Sequence, residues 1–251
     1  LSKFHYQLAK QLGNRKEEAL ALNEKAIVLS IQGYKSDSIN GVLQEVLLIY
    51  TQLKNYNGIA STKNNIGALF QHQGDYQSAI NYYKEALTLF KAQKNKLMVA
   101  DVLNNIGGIY YFIELNDLAL LNYKEALTIY TKEGADEKAG FLWLNMAVIY
   151  TKTGRTKIAR EHFQKAYPIL KAKNDLYYLP EYFYLLALFH EGTGNPDSAL
   201  LMIEEGLKIL TDLGNNDKII SSKLLKAKLI LDSDSEHAYR IAEALKEPIL
   251  N

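Results

Sequence analysis

The chain has 251 residues, 48% hydrophobic and 23% charged, a mix that excludes disordered and collagen-like classes. Lys and Arg total 29 against 28 Asp and Glu, so a formal charge of +1 offers no basic excess to draw in nucleic acid or an anionic membrane surface. Cysteine is absent, which removes disulfides, thiolate metal sites and Cys nucleophiles, and the longest apolar run, Tyr182 to Phe189, is far short of the roughly 20 residues that span a bilayer. The first residue is Leu1 rather than Met, as expected of a processed chain or an excised piece of a longer one. Direct membrane insertion is not expected, and the cytoplasm and the periplasm fit the composition equally.

Only four prolines, with turn residues at regular intervals, predict helices throughout. Residues 1–12 read as one leftover helix, and 13–53 as a degenerate helix pair that keeps Gln44-Glu45-Val46-Leu47 in register with later copies. Over 54–95 the pair is clear: Asn64-Asn65-Ile66-Gly67-Ala68-Leu69-Phe70 in a first helix (A), Gly74-Asp75 in the turn, and Tyr82-Tyr83-Lys84-Glu85-Ala86-Leu87 in a second (B). Over 96–134 both blocks return at one shared interval, as Asn104-Asn105-Ile106-Gly107 and Asn122-Tyr123-Lys124-Glu125-Ala126-Leu127, with a turn expected at Asn116-Asp117. Over 135–174 the same step brings them back as Asn145-Met146-Ala147-Val148 and His162-Phe163-Gln164-Lys165-Ala166, separated by Gly154-Arg155. Residues 175–214 carry Leu185-Leu186-Ala187-Leu188, the turn Gly194-Asn195-Pro196 and Glu204-Glu205-Gly206-Leu207, and 215–251 form a degenerate last pair retaining Ala227 and Ala238. Asn55, Asn95, Asp175 and Asn215 mark the returning turns, with Ala135 breaking the series. Gly beyond a helix adopts the left-handed conformation cheaply, and Pro196 suits a first helical position.

A helix pair of this kind has an apolar face that it cannot bury alone, so stacked copies share a core. Gly67, Gly107, Ala147 and Ala187 on helix A, with Ala79, Ala119, Ala159 and Ala199 on helix B, are small where helices should approach most closely, and Phe70, Tyr83, Tyr110, Tyr123, Trp143, Tyr150 and Phe163 fill the rest as ordinary core. With Trp143, Met146, Ala147 and Tyr150 on helix A, and Ala79-Tyr83-Ala86, Ala119-Tyr123-Ala126 and Ala159-Phe163-Ala166 on helix B, the chain resembles the tetratricopeptide-repeat (TPR) family. The step from Asn65 to Asn105 exceeds the usual TPR period of roughly 34 residues and resembles the longer-helix TPRs of kinesin light chains, of Rap-type pheromone receptors and of bacterial sensors and regulators. The resemblance implies an all-α fold: a single array forming a right-handed superhelix, or α-solenoid, of stacked antiparallel helix pairs.

By the same resemblance helix A lines a concave groove, where Asn64, Asn65, Asn104, Asn105 and Asn145 form an amide ladder. An amide both donates and accepts, so such a row suits a peptide backbone; the same amides can instead bridge neighbouring repeats, and both readings stand. The groove then turns apolar at Tyr111, Phe141, Leu144, Val148, Tyr184 and Leu188, which suits a partner with hydrophobic anchors unless the chain's own helices cover them. The cations of a chaperone-tail clamp are missing, since Asn64, Ala68, Asn105, Phe141 and Asn145 stand in their places.

No P-loop, Gly-x-Ser-x-Gly elbow or His-Glu-x-x-His is present, and the five histidines fall in different repeats, so no catalytic residue, metal ligand or cofactor is expected. Asp232, Asp234, Glu236 and Glu243 have calcium-loop spacing, but His237 replaces the needed glycine, and an acidic helix cap explains them better. The expectation is a non-enzymatic interaction module that grips a protein or peptide segment, the sensing or docking region of a bacterial regulatory protein. The alternative is a structural spacer, or a module that forms homo-oligomers through its end repeats.

Overall fold

The structure, a computed structural model, describes residues 2–32, 34–172 and 178–245, among which lie thirteen helices and no strand. The chain divides into two compact units, Leu1–Glu133 and Gly134–Asn251.

Unit 1 holds α1 (Ser2–Gln11), α2 (Arg15–Ile31), α3 (Ser36–Gln52), α4 (Tyr56–His72), α5 (Tyr76–Ala92), α6 (Lys96–Phe112) and α7 (Asn116–Lys132). The pairs α2/α3, α4/α5 and α6/α7 pack most extensively; α3 then meets α4, and α5 meets α6. The A helices α4 and α6 also touch directly, whereas α2 and α4 touch little.

Punctuation sets this layout. Lys54, Gly74, Lys94, Glu114, Gly134, Gly154, Gly194 and Gly214 all have positive φ, and they fall on one evenly spaced grid. The 17-residue helices α3 to α8 are therefore each followed by a left-handed residue before a short turn reverses the chain. Gly74, Gly154 and Gly194 stand at expected turns, but Lys54, Lys94 and Glu114 adopt the same conformation without being glycine. Asn116 and Asp117 are not the turn; they lie in the first turn of α7, whose N-cap is Leu115. Asn55, Asp75, Asn95 and Asn215 cap the next helix by accepting from the backbone N–H three residues on. Ala135 caps nothing, and Asp175 lies outside the described residues.

The small residues of helix A make room for rings. A Cβ on Gly67 would stand 2.8 Å from Tyr83 Cδ1, and one on Gly107 2.6 Å from Tyr123 Cε1. Tyr83 is buried with its hydroxyl donating to Gln71 Oε1 at 2.9 Å, and burial pushes the phenols of Tyr83 and Tyr123 up.

Unit 2 holds α8 (Asp136–Lys152), α9 (Thr156–Ala172), α10 (Tyr178–Gly192), α11 (Pro196–Leu213), α12 (Asn216–Ile230) and α13 (Ser235–Ala244). Pro168 sits inside α9 on an exposed face, and the helix continues past it to Ala172. Pro196 begins α11. Tyr182, Phe183, Phe163 and Phe189 are buried together with ring centroids 5.5–6.0 Å apart. Lys218–Glu181 (3.1 Å), Lys226–Glu204 (2.8 Å) and Lys228–Glu191 (2.6 Å) tie α12 to the preceding pair. Asp234 caps α13 by accepting from the His237 N–H, so the acidic stretch is a helix start. No helix among the described residues is long and apolar enough to cross a membrane.

Candidate functional site

In unit 1, α4 and α6 bring Asn64, Asn65, Asn104 and Asn105 together, all half-buried. The two expected uses of these amides divide among them. Asn105 Nδ2 donates to Asn64 Oδ1 at 3.2 Å, so this pair bridges neighbouring repeats. Asn104 Oδ1 is buried with no partner, a state that costs about 1–3 kcal/mol for such a group. Asn65 makes no hydrogen bond within the described residues and keeps its amide for other use. Two other polar side chains of this face are engaged within their own repeat: Gln71 by Tyr83, and Asp101 by the Tyr130 hydroxyl at 2.6 Å. Tyr111 is half-buried beside Phe112, which is 68% exposed and leans on the Tyr76 ring at 5.2 Å.

The first repeat adds an amide that strict counting from the clear repeats misses. Glu18, Ala19, Ala21, Leu22 and Ala26 of α2 are buried in the pattern of Val99, Ala100, Val102, Leu103 and Gly107 of α6, each one position earlier than two repeat steps would place it. One extra residue lies between α2 and α3, where four separate the helices instead of the three between α4 and α5. Asn23 is therefore the counterpart of Asn104, and its Oδ1 is likewise buried and unpartnered. A hydrogen bond from Asn23 restrains the Tyr50 phenol, which burial pushes up.

Asn23 and Asn65 both line a cavity of about 390 Å³ between α2, α3 and α4. Ala26 and Ile27 of α2, Ile39 and Leu43 of α3, and Ala68 and Leu69 of α4 give it apolar walls. Tyr34, Ser36 and His72 add polar atoms, and among the described residues no Asp, Glu, Lys or Arg lines it. Asn65, expected in the groove, is thus brought together here with Ala68 and His72 of the same helix; Asn23, Tyr34 and Ser36 were missed because the first repeat is degenerate and shifted by one.

In unit 2, Asn145 is half-buried and makes no hydrogen bond within the described residues. Leu144 does not present itself: it is 0% exposed and belongs to the core. It occupies the place of Asn104, whose oxygen is equally enclosed, and a leucine there is fully covered. Phe141 is half-buried with its ring 4.6 Å from that of Tyr178. Tyr184 and Leu188 pack on the cluster of Ala187, Ala199, Ile203 and Leu225, while Val148 stays half-buried. The chain's own helices therefore cover part of the apolar stretch. A smaller cavity of about 180 Å³ beside Tyr184 contains the Glu181–Lys218 ion pair. Among the described residues no three His, Asp or Glu side chains are grouped to hold a metal ion.

Hairpins of paired helices recurring at a constant interval, with a small helix-A residue set against a buried ring, define an α-helical repeat protein. Family models described as tetratricopeptide repeat match residues 58–132 and 142–167. The chain carries tetratricopeptide repeats. Solved structures agree in fold: the apo form of RapI (14% identity, covering 92% of this chain and 84% of that one, TM-score 0.78), and BtubC (BKLC) from P. vanneervenii (16%, 85% and 89%, 0.74). A STAND signal-transduction ATPase with a tetratricopeptide repeat sensor, PH0952 from Pyrococcus horikoshii, matches over 99% of this chain and 38% of its own (16% identity, TM-score 0.78). No curated protein matches the sequence.

Proposed function

We propose that the chain is a non-enzymatic module that binds a protein or peptide segment on its A-helix face, as the sensing or docking region of a bacterial regulatory protein. Tetratricopeptide repeats are generally protein-interaction modules, and the similar structures include regulatory proteins. The observation that carries the reading is the pair of uncommitted amides, Asn65 and Asn145, each half-buried at the equivalent place of its own repeat. Asn gains nothing from a mid-helix position, and a partly dehydrated amide without an internal partner is suited to a backbone from outside.

Selection of a displayed peptide library on the immobilised chain tests this. Enriched peptides should lose most of their affinity with Asn65→Ala plus Asn145→Ala, at an unchanged helical circular dichroism signal, and keep it with Asn105→Ala, whose amide is already bonded to Asn64. Enrichment indifferent to the double variant counts against the reading.

Self-association is favoured by one observation. Phe4, Leu8 and Leu12, spaced one helical turn apart at the N-terminal helix, are 69%, 43% and 72% exposed. Light scattering that shows a monomer at all concentrations removes this alternative.

A further inference from the structure

One clasp of amides is closed and its counterpart is open. At the α4–α6 step, Asn105 Nδ2 donates to Asn64 Oδ1 at 3.2 Å. The counterpart pair one repeat earlier is Asn65 and Asn23, and no hydrogen bond joins them. Asn23 Oδ1 is left buried without a donor, and the cavity of about 390 Å³ lies where both residues meet it. A closed clasp satisfies a donor with an acceptor; an open one offers both to a third group. A peptide unit has the matching pair, an N–H for Asn23 Oδ1 and a carbonyl for Asn65 Nδ2.

We propose that this cavity is the anchor pocket for the bound segment: the Asn23–Asn65 clasp takes one peptide group, and the cavity takes the aromatic side chain of that residue. The inference rests on the peptide-binding reading above and adds its side-chain specificity. Three features select the occupant. The walls are Ala26, Ile27, Ile39, Leu43 and Leu69, so the body that enters is apolar. Among the described residues no Asp, Glu, Lys or Arg lines the space, so a Lys, Arg, Asp or Glu side chain would give up hydration without a carboxylate, ammonium or guanidinium partner. The volume lies at the lower end of the roughly 300–1,000 Å³ typical of ligand pockets, and an aliphatic side chain would leave much of it without contacts, which a ring with its attached peptide group supplies.

Blocked amino acids test it on the full chain. N-acetyl-phenylalanine methylamide and its tryptophan analogue, followed by methyl NMR, should shift the resonances of Ala26, Ile39, Ala68 and Leu69, and the lysine and glutamate analogues should bind at least about tenfold more weakly. Asn65→Ala should weaken the phenylalanine compound about 3- to 10-fold, the loss of one hydrogen bond, and should leave toluene binding unchanged. Ala68→Leu, which fills the space from α4, should abolish both while preserving the helical circular dichroism signal. Equal binding of the charged analogues, or an Asn65→Ala variant that binds as the parent does, overturns the pocket. Shifts confined to methyl groups elsewhere on the A-helix faces, such as those of Val148 and Leu188, overturn the pocket and leave the peptide-binding reading standing. No shift anywhere at saturating solubility removes both.

Discussion

At the scale of single residues, two glycines show how tightly one helix reads another. Ala is the better helix former by up to about 1 kcal/mol, so Gly67→Ala and Gly107→Ala would stabilise an isolated helix. Here the added methyl meets the Tyr83 ring at 2.8 Å or the Tyr123 ring at 2.6 Å. Tyr83 cannot withdraw without breaking its bond to Gln71, so the overlap wins. Each substitution should cost about 1–3 kcal/mol in urea unfolding, as overpacking does. Two histidines should give the protein opposing pH responses. Hydrogen bonds to Glu24, then Glu17, raise His5 above its ordinary 6.5, so its contribution is complete below 6.5 and is lost as pH rises through the raised value. Burial, then the charge of Arg160, lowers His190, whose Nδ1 is buried without a partner. The unfolded chain then takes up that proton first, and stability is lost as pH falls from 6.5 through the lowered value. Melting temperatures across about pH 5 to 8 should show His5→Gln lacking the parent's acid-side stabilisation and His190→Gln lacking the parent's acid-side loss.

At the scale of helices, the capped and uncapped starts invite comparison. Asn55, Asp75 and Asn95 each accept a backbone N–H, whereas Leu115 and Ala135 leave the same donors without a side-chain acceptor. Leu115→Asp and Ala135→Asp should each add about 1 kcal/mol, and Lys94→Gly about as much by relieving a left-handed non-glycine residue, now at φ 57; chemical denaturation of the full chain measures all three. Most of the helical layout was legible, because apolar spacing, small-against-large pairing and cap residues recur together in every clear repeat. The finer alternation, one reversal per helix, was obscured where Lys54, Lys94 and Glu114 replace glycine, since no side chain there announces the conformation. Of the amide row, the positions were readable and the partners were not. That Asn105 is bonded to Asn64 while Asn65 is uncommitted depends on small differences in how neighbouring helices approach. The shift that hides Asn23 comes from one loop residue, and the burial of Leu144 from neighbours that periodicity alone does not weigh.

For the whole molecule, each unit carries its own buried clusters: Ala19, Leu22, Val46, Ile49 and Tyr50 among those of unit 1, and Ala187, Ala199, Ile203 and Leu225 among those of unit 2. Stability in a repeat array is largely a sum of repeat terms and nearest-neighbour terms. Residues 1–133 and 134–251, expressed separately, should therefore each retain cooperative unfolding and the helical circular dichroism expected for its length. Loss of structure in either fragment would refute independent cores.

The regular beat of left-handed residues has a genetic corollary. Because a left-handed residue follows each helix from α3 to α8, the count is restarted locally at every one of these ends rather than by any distant contact. A segment copied between two such ends, from 95 to 134 for instance, would splice in without disturbing the register of anything downstream. Duplication can then lengthen such a gene while point changes alter one recognition surface at a time.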